Sequence, residues 1–202
     1  MSTPEEILPT YETHGPAWAR SRLCILFEKS WLDRLLNVAS NRRVLDLGCG
    51  AGRPIATYLA DRGCKVTGVD GAASMVEAFR KTLPAATVHH ADMRGLDLGE
   101  TFGALIAWDS FFHLSPQDQR AMFPVFARHA APGAALMFTS GPEAGEAIGS
   151  IDSQPIYHAS LAPEEYRALL AENGFTVKAF VPEDPACDRH TIWLAKYTAN
   201  PV

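Results

Sequence analysis

The chain has little cysteine, no long apolar run, no excess of positive charge and no repeated or low-complexity stretch. Its four cysteines, Cys24, Cys49, Cys64 and Cys187, are scattered without C-x-x-C spacing. That argues against a disulfide framework or a zinc site and for free thiols in a reducing compartment, so no metal is expected. No apolar stretch reaches the roughly 18 residues of a membrane span. The opening MSTPEEILPT is acidic rather than a charged-then-apolar leader, so a cytoplasmic protein without membrane contact is expected. A formal net charge of −5 offers no basic surface to nucleic acid or anionic lipid. What remains is an ordinary globular composition, 47% hydrophobic and 20% charged over 202 residues. That is enough for one domain with a full core, expected as a monomer or homodimer.

From residue 42 short apolar runs alternate with helix-like segments, the pattern of a mostly parallel sheet with helices on both faces. RRVLDLG, CKVTGVD, ATVHHAD, FGALIAWD and GAALMFTSG read as five successive strands. Pro54 suits the first position of a helix running to Asp61, and Gly63 its left-handed end. A second helix spans Ala72 to Thr82. Ser115-Pro116-Gln117-Asp118 is a helix start with a capping serine, and Met122, Val125, Phe126 and His129 share one face of that helix. Residues 141–162 are rich in Gly, Pro and Ser, with a weak helical pattern over Glu143 to Ile148. APEEYRALLAENGF is an amphipathic helix, and FTVKAFVPE and HTIWLAKY are spaced to pair as an antiparallel hairpin at the sheet edge. WARSRLCILFEKSWLDRLLNVA reads as one or two helices in front. The expected divisions are an N-terminal helical cap (1–41), a ligand-binding core (42–140), a lid or substrate segment (141–162), and a last helix with the terminal hairpin (163–197).

VLDLGCGAGRP carries the most information. A glycine turn after the first strand lets the backbone approach a ligand at the carboxyl edge of the sheet. The glycines are Gly48, Gly50 and Gly52, whereas a dinucleotide fingerprint would place its third glycine where Arg53 stands. Asp46 lies two residues before the turn, and its charge suits a cationic ligand and disfavours a pyrophosphate. Asp70 ends the second strand, where a carboxylate can accept from both hydroxyls of a ribose. Asp92 follows the third strand and can accept from an adenine amino group. A single such aspartate is commonly a turn former; three at successive strand ends ask for another reason.

VLDLGCGAGRP, VTGVDGAASMVEAFR, HHADMRGLDL and ALIAWDSFFHL together resemble the successive motifs of class I S-adenosylmethionine-dependent methyltransferases of the small-molecule, bacterial-like type. The resemblance covers roughly residues 11 to 197. It implies an α/β fold, a three-layer Rossmann-like sandwich whose seven-stranded, mostly parallel sheet has an antiparallel last strand. It implies S-adenosylmethionine as cofactor and S-adenosylhomocysteine as product. The cofactor's methionine part would lie against Gly48, Gly50 and Asp46, its ribose on Asp70 beside Gly71, and its adenine on Asp92 and Met93. Trp108 would line the methionine end. In such enzymes the N-terminal helix closes over the site, which brings in Tyr11 and Trp18 as cover and Arg22 as a partner for the cofactor carboxylate.

Methyl transfer from a sulfonium needs a nucleophile held in line, worth ~7–11 kcal/mol of barrier. A thiol, phenol or hydroxyl also needs a base, whereas a neutral amine needs much less help. His113, in the loop after the fourth strand, is the candidate base or substrate contact; it equally suits a loop-fixing histidine packed beside Phe112. Asp109 either takes part in the chemistry or fixes the loop. Phe112 and Tyr157 are the candidate substrate contacts. His89 and His90 point to opposite faces of a strand, and His158 and His190 read as surface residues. The expected function is transfer of a methyl group to an O, N or S atom of a small molecule. Alternatives are a non-catalytic cofactor-binding protein, a protein or nucleic-acid methyltransferase, and a nicotinamide-dependent oxidoreductase. Arg53 and Asp46 count against the last, and Trp108-Asp109-Ser110-Phe111, in place of an acid-proline-proline-aromatic motif, against the nucleic-acid reading.

Overall fold

The computed structural model describes residues 2–21 and 25–198. A helix α1 (Ile7–Ser21) and a helix α2 (Lys29–Val38) precede the sheet. The chain then alternates through β1 (Arg43–Leu47), α3 (Ile55–Asp61), β2 (Lys65–Asp70), α4 (Ala73–Thr82), β3 (Thr87–His90), β4 (Phe102–Ala107), α5 (Pro116–His129) and β5 (Ala130–Ser140). A hairpin of β6 (Gly145–Ile151) and β7 (Gln154–Ser160) comes next, then α6 (Pro163–Glu172), β8 (Phe175–Asp184) and β9 (His190–Tyr197). The seven-stranded sheet runs β3-β2-β1-β4-β5-β9-β8, and β9 alone is antiparallel to both its neighbours. This is the expected Rossmann-like sandwich.

The two faces of the sheet can be read along its strands. Leu45, Leu105, Leu136 and Phe138 belong to a core under α5 and α6, while their neighbours Val44, Ala104, Ile106 and Met137 belong to a core with Trp31, Leu32, Leu35, Leu59 and Phe79. Successive side chains of a strand point to opposite faces, so a strand covered on both sides is apolar throughout; every residue of β4 is buried. Phe138 stacks on Trp193 at 5.8 Å between centroids, and truncation of such a side chain costs about 3–5 kcal/mol. Ser115 accepts from the Asp118 amide at 3.1 Å, making the cap of α5. Met122, Val125, Phe126 and His129 are buried on the face the spacing predicts.

Two local expectations are corrected. The weak helical pattern over Glu143–Ile148 is strand. Gly145 and Gly149 weaken a helix there, and Asp152-Ser153, both at positive φ (48° and 63°), make the two-residue turn that pairs Ile151 with Gln154. The N-terminal helix also begins eleven residues before Trp18, at Ile7, and ends at Ser21. The two features meet: Ile7, Ile151, Ile156, Tyr157 and Ala159 form a small separate core, with Tyr11 and Trp18 packed against it. The hairpin thus braces α1 across the carboxyl edge of the sheet. On its other side, Glu12 of α1 accepts from the Ser74 amide at 3.0 Å, in the first turn of α4, where negative charge is favoured. Leu8 reaches so far over Gly71 that a Cβ there would lie 2.5 Å from it.

Candidate active site

Beneath α1 lies a cavity of about 670 Å³ at the carboxyl ends of β1, β2 and β4, a size usual for small-ligand sites. Its wall includes Asp46, Gly48, Gly50, Asp70, Gly71, Asp92, Met93, Trp108, Asp109 and His113, with Tyr11 and Trp18 in the roof. The rings of Phe112 and Tyr157 are not among the lining residues. Phe112 packs on His113 and His158, and Tyr157 is buried with its hydroxyl donating to Glu146 Oε1 at 2.7 Å. Arg22 lies outside the described residues.

The glycine turn is held by its surroundings. Gly48 has φ +75°, and a Cβ on it would come within 2.3 Å of Ser110 Cβ; both facts exclude a side chain. Ser110 is fixed there by donating to the Leu47 carbonyl at 2.7 Å. Gly50, at φ +52°, has open space where a side chain would be. Its amide donates to Asp70 Oδ2 at 2.8 Å, and the Ala72 amide donates to Oδ1 at 2.9 Å. Each carboxylate oxygen accepts more than one hydrogen bond, so Asp70 ties the turn to α4 and keeps capacity for ligand hydroxyls.

The three strand-end acids differ sharply. Asp46 is 4% exposed and lines the cavity, with no hydrogen bond or ion pair among the described residues. Burial, then the nearby Asp70, pushes its carboxyl up to about 7. A cationic group in the cavity would relieve that cost, whereas a phosphate would increase it. Burial also raises Asp70, against the amides of Ala72 and Gly50. At Asp92 burial is outweighed by Arg94, which holds the carboxyl below its ordinary value. The Arg94 guanidinium grips both Asp92 oxygens, with contacts at 2.6 to 3.1 Å, and reaches Asp118 at 3.3 Å. The Trp108 indole Nε1 is buried without a partner among the described residues. These features suit a ligand that carries a cation, a ribose and an aromatic base.

His113 is 7% exposed and held at both nitrogens. Nδ1 faces the Tyr157 carbonyl at 2.9 Å, which can only accept, so Nδ1 carries the hydrogen. Nε2 then presents a lone pair to the Tyr11 hydroxyl at 3.0 Å. Burial drives the imidazole down to about 4, with His158 acting the same way against Tyr157 and Asp109. It is neutral at physiological pH.

Asp109 stands at φ +50°, its amide donating to Thr139 Oγ1 at 2.9 Å. Its Oδ1 lies 2.9 Å from His190 Nε2. His190 is therefore not the surface residue expected from the sequence: its ring stacks on Trp108 at 5.2 Å and tilts over Phe27 at 5.3 Å. His158 is likewise packed against Phe112. A signal for His190 was present. An antiparallel last strand must begin at the carboxyl edge, which brings its first residue to the site.

Comparison with known proteins agrees with this geometry. A family model described as a methyltransferase domain matches residues 44–133. The chain is 36% identical over 91 residues to the dTDP-3-amino-3,6-dideoxy-alpha-D-glucopyranose N,N-dimethyltransferase of Streptomyces fradiae, covering 44% of this chain and 35% of that one. It is 31% identical over 168 residues to the malonyl-(acyl-carrier protein) O-methyltransferase of Enterobacter lignolyticus, covering 81% and 63%. The chain thus spans less than two thirds of either curated relative. An amino pentose methyltransferase from Micromonospora echinaspora, solved with S-adenosylmethionine bound, has the same fold: TM-score 0.71, 21% identity, coverage of 92% of this chain and 97% of that one. The sheet order and layers are those of the methyltransferase fold seen in that neighbour. Residues 44–133 thus match a methyltransferase domain, and the chain shares its fold with a methyltransferase solved with S-adenosylmethionine bound.

Proposed function

We propose that this chain transfers a methyl group from S-adenosylmethionine to the amine nitrogen of a small molecule. The observation that carries the cofactor is the cavity wall itself, in which a buried, unpartnered Asp46 stands beside the open glycine turn and Asp70. In this reading Asp46 meets the cofactor's cationic end, Asp70 with Gly71 its ribose, and Asp92 with Met93 its adenine. Gly48 and Gly50 admit the backbone approach, Trp108 lines the methionine end, and Tyr11 and Trp18 close the roof. When bound, the cofactor supplies a methyl already activated on a sulfonium. The chain's own task is to hold a nucleophile in line and exclude water.

The neutral state of His113 supports an amine over a hydroxyl. An imidazole held near 4 cannot keep a proton taken from a hydroxyl at neutral pH. Its Nε2 lone pair is taken up by the Tyr11 hydroxyl, and a neutral amine, which already carries its own lone pair, needs no such acceptor. The aminosugar N,N-dimethyltransferase among the relatives supports the same choice.

The test is incubation with methyl-labelled cofactor and matched pairs of small amines and their hydroxyl isosteres, with mass spectrometry as the readout. Label in the amines alone is expected, and label in the hydroxyl isosteres alone would overturn the amine assignment. Cofactor binding without single-turnover transfer to any fraction of a cell extract would favour a non-catalytic cofactor-binding protein.

A further inference from the structure

In the methyl-transfer reading Asp92 meets the adenine, yet its carboxylate is already held. The Arg94 amide donates to Oδ1 at 2.9 Å, closing the turn that aspartate commonly makes with the residue two positions on. Arg94 then returns with its side chain. Its Nε donates to Oδ1 at 3.1 Å and Oδ2 at 2.9 Å together, and its Nη2 donates to Oδ2 at 2.6 Å. On the far side of the guanidinium, Nη1 donates to Asp118 Oδ2 of α5 at 3.3 Å. All three side chains stand in the cavity wall. Folding does not account for the grip: the turn needs only the amide, and an ion pair whose members are 43% and 40% exposed contributes little to stability. Its effect is on the carboxylate. Rotation of the carboxylate would break contacts to both oxygens, so its plane is fixed. Three N–H groups of Arg94 share about four lone-pair sites, so one further donor fits without displacing the arginine. That matches the single N–H that a purine 6-amino group aims at one partner.

We propose that Arg94 is a positioning residue that sets the site's preference for a 6-aminopurine: by gripping both oxygens of Asp92 it leaves the carboxylate one fixed acceptor direction for the base. Arg94 acts through Asp92 and does not itself touch the ligand. Burial would raise the Asp92 carboxyl, but Arg94 outweighs it and holds the group below its ordinary value. Asp92 therefore stays an acceptor and never a donor at neutral pH. A base with an amino group there gains a charge-assisted hydrogen bond, whereas a base with hydrogen in its place gains none. Competition between Arg94 and the ligand for the same oxygens would have the opposite sign. This role rests on the reading in which Asp92 meets the adenine.

The experiment is calorimetry with S-adenosylhomocysteine and its analogue whose purine lacks the 6-amino group, read as the ratio of the two affinities. A variant that merely loosens the fold weakens both ligands alike and leaves the ratio unchanged. The wild type should prefer the adenosyl ligand by about 10–100-fold. In Asp92→Ala the ratio should fall close to one. In Arg94→Ala it should fall about fivefold, and in the double variant it should equal that of Asp92→Ala alone. Arg94→Lys, which keeps the charge without the fork, should recover part of the loss. An unchanged ratio in Arg94→Ala would overturn the proposal, and a raised one would overturn it in favour of competition. Should Arg94→Ala not fold, Arg94→Lys decides by the same sign. A wild-type ratio near one, or a ratio unchanged in Asp92→Ala, would show that the adenine does not meet Asp92; the reading of the site would then fall first, and the role of Arg94 with it.

Discussion

Replacing Asp46 with Asn should make the protein more stable and a poorer binder of its cationic ligand. In the folded chain the carboxyl titrates at about 7; in the unfolded chain it returns to about 3.9. Between those values the folded state binds the extra proton, so this group's contribution to stability falls as pH rises from about 4 to 7 and is level above. At about 1.4 kcal/mol per pH unit the cost above pH 7 is about 4 kcal/mol. Urea denaturation of wild type and Asp46→Asn at pH 4.5, 6 and 8 isolates this group as the difference between the two proteins. The variant should gain up to about 4 kcal/mol at pH 8 and nearly nothing at pH 4.5. A cationic ligand needs the ionised acid, so wild-type affinity for S-adenosylhomocysteine should fall about tenfold per pH unit below 7, with one proton released on binding. Asp46→Asn should bind more weakly at pH 8 and lose that slope. A difference in stability that does not change with pH, or an equal slope in both proteins, would refute the reasoning.

Relative to His113→Gln, the wild type should lose about 3 kcal/mol as pH falls from 6.5 to 4, because the buried imidazole is held near 4 and the unfolded one titrates near 6.5; denaturation across that range measures it. Asp70→Ala removes the acceptor of two backbone amides and should weaken cofactor binding by about 10–100-fold in calorimetry. His113→Ala should leave binding nearly intact while slowing transfer, and loss of binding would sink its proposed role toward the acceptor. Gly48→Ala meets both a positive φ and Ser110, so a loss of at least about 2 kcal/mol in denaturation is expected.

The sheet was legible because its strands are buried on both faces and so spell continuous apolar runs between punctuating glycines and prolines. The five successive strands and the antiparallel terminal hairpin came from that pattern. The β6–β7 hairpin was not legible, because its inner face packs against α1 and the turn after β4 rather than on the sheet, and its outer face is exposed, from Gly145 to Ser150 almost throughout. Such a strand has no continuous apolar run, and its turn residues, Asp152 and Ser153, are not the glycine pair that announces a tight hairpin. The segment was therefore expected as a lid with a weak helical pattern over Glu143 to Ile148 rather than as a hairpin. Tyr157 supports the site through its carbonyl on His113 rather than its ring, a role that side-chain identity cannot signal.

The three acids show where reading by spacing must stop. Asp46, Asp70 and Asp92 all lie near the carboxyl ends of successive strands, and spacing alone does not separate their roles. Their partners, some two residues away and one twenty, separate them. Asp92 is neutralised by Arg94, two residues on, which also reaches Asp118 of α5. Asp70 is spent partly on the glycine turn twenty residues before it. Only Asp46 is left buried without a partner among the described residues, and its cost falls on the folded protein until a cation arrives. An acid that destabilises the empty protein is hard to explain by folding, since Asn would fill the same space at lower cost. That makes Asp46, rather than the better tied Asp70, the sharper test of whether this cavity is built for a positively charged ligand.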